Sequence, residues 1–154
     1  MPLGSAVAAD ALKVTGAVRT TLTLDAAVLA AFAPGDQASA SVTRRVDGAE
    51  RSTTVRGVRL AAVLERAALD ERDRLDWRKT VVLATATDGY RAVFSWPELV
   101  NTEAGRQVLV VYERDGAPLE AREGPIALHA LGDLRSGPRH VRNLIRLEVR
   151  ILRD

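Results

Sequence analysis

Residues 137–151 read Gly137-Pro138-Arg139-His140-Val141-Arg142-Asn143-Leu144 and then Ile145-Arg146-Leu147-Glu148-Val149-Arg150-Ile151. The second half alternates strictly, with Ile145, Leu147, Val149 and Ile151 opposed to Arg146, Glu148 and Arg150. That period of two predicts a strand with one core face and one wet face. In the first half, glycine and proline fix a loop whose guanidinium groups can grip an oxyanion bidentately. His140 adds a donor, and backbone amides near Gly137 can add more. A phosphate, sulfate or carboxylate would suit this loop. The plainer reading is a solvated basic edge in an arginine-rich chain.

Working back from that strand, Ile126 to Leu131 follows Gly124-Pro125, and Val108 to Tyr112 is an apolar strand that turns at Asp115-Gly116. Thr80 to Thr87 is a β-branched run, the best candidate for a central strand. Asp88-Gly89 closes it into a hairpin with Tyr90 to Ser95, and Asp88 serves the turn backbone. Trp96-Pro97 opens a short helix ending near Asn101. Leu60, Val63, Leu64 and Ala67 fall at helical spacing. Gln37 to Val46 alternates as a half-buried strand, with Asp47-Gly48 turning it onto Arg51 to Val55. Before that, Thr23 can cap a short helix with Asp25 in its first turn, stopped by Pro34-Gly35. The chain therefore reads as α+β, mostly β: a mixed sheet or barrel with short covering helices.

With 154 residues, 47% hydrophobic and 27% charged, the sequence can fill one core, so residues 11–154 are expected to form a single domain. Residues 1–10 are expected to be a disordered segment, or the remnant of a signal or tag. Within it, Ala6-Val7-Ala8 resembles the end of a secretory signal without its basic and apolar regions. No apolar stretch approaches the roughly 20 residues of a transmembrane helix. The net charge is +2, which gives nucleic-acid binding little support. There is no cysteine, so disulfides, thiolate nucleophiles and thiolate-bound metals are excluded. G-x-S-x-G and phosphate-loop motifs are absent as well.

Other candidates are weaker. His129 and His140 lie 11 residues apart on different elements, a poor metal pattern. They read instead as a hydrogen-bonded strand histidine and a loop histidine. Asp70, Glu71, Asp73 and Asp76 alternate with arginines and read as a solvated face, since a calcium loop's glycine and closing glutamate are missing. Arg44-Arg45 precedes a turn, and a solvated hairpin end accounts for it.

Four pieces in order resemble the sulfite-oxidase-type molybdopterin-binding domain family. They are Gly57-Val58-Arg59-Leu60 leading into a helix over 61–68, Thr87-Asp88-Gly89-Tyr90, Asp115-Gly116-Ala117-Pro118-Leu119 before Gly124-Pro125-Ile126, and Gly137 to Leu144. The resemblance runs from about Leu12 to Leu152. It implies a sulfite-oxidase-type fold, molybdopterin as a possible cofactor, and Arg139, His140 and Arg142 near the phosphate side of the pocket. Arg44 and Arg45 join them as candidate anion-binding residues. Catalytic members of the family hold molybdenum with a cysteine thiolate from the region matching Ser41 to Arg45, where this chain has none. Ala127 replaces an arginine, and Asn143 a tryptophan.

The expectation is a degenerate, non-catalytic domain that binds a small anionic ligand or pterin in the ancestral pocket. One alternative is an exported interaction or sensor domain working with a membrane signalling partner, for which Tyr90, Phe94, Trp77 and Trp96 could act as anchors if exposed. Another is an oxidoreductase with non-cysteine metal ligation. A periplasmic or otherwise exported location is expected, with a cytoplasmic one as the alternative.

Overall fold

In a computed structural model, residues 11–153 are described. The expected N-terminal segment 1–10, with its signal-like alanines, lies outside them. The chain folds as β1 (Leu12–Gly16), β2 (Leu22–Leu24), α1 (Ala26–Ala30), β3 (Gln37–Val46), β4 (Ala49–Arg59) and α2 (Leu60–Ala67). It continues with β5 (Thr80–Ala86), β6 (Arg91–Ser95), α3 (Trp96–Asn101), α4 (Glu103–Arg106), β7 (Val108–Arg114), β8 (Ala117–Pro118), β9 (Ala127–Ala130) and β10 (Leu144–Ile151). Strand makes up 45% and helix 23%, so the fold is α+β and mostly β.

The strands do not close into a barrel. They form one sheet in the order β2-β1-β10-β5-β6 and a second in the order β3-β4-β7-β8, with β9 also paired to β7. The middle place in the first sheet belongs to β10, and β5 lies beside it. β1 runs parallel to β10, while β5 runs antiparallel to it.

One core joins the two sheets. Val14, Val82, Phe94 and Leu147 from the first sheet are buried together with Val58, Val110 and Leu128 from the second. β7 is buried on both faces, because Leu109 and Val111 enter a second cluster with Val55, Leu119 and Ala127. An unbroken apolar run is what such a strand needs, and alternation would have failed it. The covering helix α2 adds Leu60, Val63 and Leu64, all fully buried, to the main core.

Local chemistry explains the element ends. Asp25, rather than Thr23, caps α1 by accepting the Val28 N–H at 2.8 Å. Ser95 and Glu98 form a reciprocal capping box at the start of α3. β4 extends through Gly57 to Arg59, further than the sequence suggests, and its register against β7 shifts between Arg56 and Gly57. A side chain at Gly57 would collide with the Val110 carbonyl, so this motif glycine permits a close backbone approach.

The acidic stretch 70–76 is not uniformly solvated. Asp76 is buried, accepting hydrogen bonds from the Arg72 and Asp73 N–H groups and from Arg153. It ties the connection before β5 to the chain's last residues.

Candidate functional site

The closing loop returns the chain to β9 through an isolated antiparallel bridge. Leu128 and Val141 exchange backbone hydrogen bonds at 2.9 and 3.0 Å. Residues 129 and 140 therefore lie opposite one another, and the imidazole centroids of His129 and His140 are 4.0 Å apart. Both Nε2 atoms face one oxygen, Glu123 Oε2, at 3.1 and 3.3 Å respectively.

Asn143 supports this arrangement. Its backbone φ is 52°, a left-handed conformation that asparagine tolerates far better than bulky residues. In that conformation its N–H donates to Glu123 O at 2.7 Å and its side-chain amide to Ala121 O at 3.0 Å. Asn143 thus fastens the segment that carries Glu123.

On the other side, Arg114 reaches Glu123 through Nε to Oε1 at 3.1 Å and Nη2 to Oε2 at 2.8 Å. Burial pushes the Glu123 carboxyl up. Hydrogen bonds from His129, His140 and Arg114 outweigh that and hold it far below the usual carboxylate range. Burial lowers the His129 pKa despite the opposing bond to Glu123, which favours a neutral ring.

The residues expected to bind an anion are placed differently from one another. Arg139 uses all its N–H groups within the protein: on Asp133 through Nε and Nη2, on Glu98 through Nη1 and Nη2, and on the Val93 carbonyl through Nη1. Its guanidinium also lies 4.3 Å from the Phe94 ring centroid. Hydrogen bonds to Asp133, which outweigh the cost of burial, raise its pKa further. His140 is engaged by Glu123. Arg142 is exposed, and Arg44 and Arg45 are exposed near the hairpin end of β3. The structure does not gather these five residues into one site.

It gathers others instead. A cleft of about 770 Å³ lies against α2, α3 and α4, with Trp77, Trp96, Leu69 and Leu99 among its walls. A second depression of about 410 Å³ is lined by Ser39, Ser41, Gln107 and Leu109. Arg59 and Arg106 line both. Arg59 follows directly from the Gly57-Val58-Arg59-Leu60 motif at the β4–α2 junction, and its Nη1 donates to Gly35 O at 2.7 Å. Neither arginine pairs with a carboxylate among the described residues. Of the aromatic candidates, Phe94 is core, Trp96 and Trp77 face the cleft, and Tyr90 is exposed with its hydroxyl donating to Pro138 O.

The fold is mostly β, α+β, with two open sheets and two neighbouring clefts on its surface. No family model and no curated protein matches the chain. Among solved structures it is similar to the sulfane dehydrogenase SoxCD from Paracoccus pantotrophus, with a TM-score of 0.68 and 14% identity. The match covers 92% of this chain and 38% of that one. This supports the expected relationship to a sulfite-oxidase-like protein at the level of fold.

Thiolate-held molybdenum does not fit the donor set. The chain has no cysteine, and the strand region from Ser41 to Arg45 offers hydroxyl and guanidinium groups instead. No helix among the described residues is long and apolar enough to cross a membrane.

Proposed function

We propose that this chain is a non-catalytic, degenerate relative of the molybdopterin-binding domains, and that it holds a small anionic ligand in the paired clefts. The observation that carries this reading is the position of Arg59 and Arg106. They join an aromatic-walled cleft to a hydroxyl-lined one, so a single ligand can rest a flat ring against Trp77 and Trp96 and present its anionic end to the guanidinium groups.

The larger cleft carries three arginines and three carboxylates, Asp36, Glu65 and Glu71 among its lining. A ligand with N–H donors as well as an anionic group suits that balance. A pterin phosphate has both, and it is the ligand class that the family resemblance suggests.

Calorimetric titration with inorganic phosphate, sulfate and a pterin phosphate tests the proposal. Pterin phosphate is expected to bind more tightly than either inorganic anion, and the double variant Arg59→Ala with Arg106→Ala to lose that binding. Equal binding by the double variant, or none by the unaltered protein, would refute it.

A further inference from the structure

The geometry points to a divalent transition-metal site formed by Glu123, His129 and His140. One ligand atom from each of the three side chains lies within 4.8 Å of the others. The two nitrogen–oxygen separations are 3.1 and 3.3 Å. Ligand atoms of a tetrahedral shell with bonds of roughly 2.0–2.1 Å stand about 3.3 Å apart, close to both nitrogen–oxygen separations, so an ion such as Zn²⁺ fits between the carboxylate and each ring. Two imidazoles and one carboxylate are a borderline donor set, suited to zinc, cobalt or ferrous iron and poorly suited to calcium or magnesium.

The setting is that of a built site. His129 is on β9, fixed opposite His140 by the Leu128–Val141 bridge, and Glu123 is fastened through Asn143. Arg114 is a positioning residue that holds the carboxylate by both oxygens, as outer-shell partners of metal ligands do. His129 and Glu123 are buried, whereas the His140 side chain is 18% exposed, so solvent approaches from its side. There a water or small anion completes the shell. Because Arg114 already balances the Glu123 charge, an anionic fourth ligand is favoured. On loading, each ring gives its Nε2 lone pair to the ion. The ring proton is then carried on Nδ1, having exchanged through solvent, and no electrons are transferred.

None of these three residues lines either cleft, so the inference stands apart from the ligand proposal. The test uses the full chain, dialysed against a chelator and titrated with Zn²⁺ by calorimetry and with Co²⁺ by visible absorption. One equivalent is expected, with the ring NMR signals of His129 and His140 shifting together. His140→Ala is expected to weaken binding by more than about 100-fold, beyond the range typical of an outer-shell loss. Absence of one-equivalent binding overturns the site, as does binding that leaves both ring signals unmoved or survives His140→Ala at full strength. Should that variant fail to fold by circular dichroism, the ring signals of the unaltered protein decide.

Discussion

The Arg139 guanidinium meets the Asp133 carboxylate through two parallel hydrogen bonds, Nε to Oδ2 at 2.8 Å and Nη2 to Oδ1 at 2.7 Å. Its remaining N–H groups go to Glu98 and Val93, so one side chain ties the closing loop to α3 and to β6. The residue that looks from the sequence like an anion contact is a clamp. Arg139→Ala is expected to cost about 2 kcal/mol in urea unfolding and to leave pterin phosphate affinity unchanged. Arg139→Lys should recover little, because an ammonium cannot form the fork.

Asp76 gives the acid side of stability a named origin. The Arg72 and Asp73 N–H groups, joined by Arg153, hold its pKa at about 2. A carboxyl depressed on folding stabilises the protein fully above its unfolded pKa of about 3.9. That contribution fades as pH falls through the folded value. Thermal melts across this acid range are expected to show a steeper loss for the unaltered protein than for Asp76→Asn, which is already weakened at neutral pH. Parallel profiles would remove Asp76 from the explanation.

At the β4–α2 junction, Gly57→Ala drives a methyl group into the Val110 backbone. Backbone on both sides belongs to paired strands and cannot simply swing away. A loss of about 3 kcal/mol is expected by chemical denaturation, at the upper end for overpacking. Little change would show that the register shift beside Gly57 can slide to relieve the contact.

Both tryptophans of the chain line the larger cleft, which makes intrinsic fluorescence a direct reporter of its occupation. Titrating pterin phosphate is expected to quench that emission. Arg106 is exposed and makes no ion pair among the described residues, so Arg106→Gln should leave the unfolding midpoint alone while weakening the ligand about tenfold, roughly 1.4 kcal/mol.

The elements legible in the sequence are those whose signal is local. The period of two over Ile145–Ile151, the helical spacing from Leu60 to Ala67 and the hairpin turns at Asp47-Gly48 and Asp88-Gly89 each decide a short stretch alone, and β10, α2 and both hairpins stand there. Sheet closure is not local. Whether ten strands make a barrel or two open sheets depends on which edges pair, and no residue pattern encodes that choice. The cluster around Glu123 was hidden for the same reason. Its four side chains come from β7, the 120–124 segment, β9 and the closing loop, and Glu123 is one of 20 acidic residues with nothing in its spacing to mark it. For the clefts, by contrast, one clue was available: the four-residue stretch around Gly57 carries Arg59 into both. Asp76 misled because its neighbours are exposed and charged, while its own partners are backbone N–H groups and a distant arginine.

Native mass spectrometry of the protein purified from its own cells, with elemental analysis of the same sample, tests the central claim most directly. The expected spectrum shows the chain carrying a small organic anion that is missing from the Arg59→Ala, Arg106→Ala double variant, and no molybdenum. Molybdenum at one atom per chain, retained through dialysis, would contradict it.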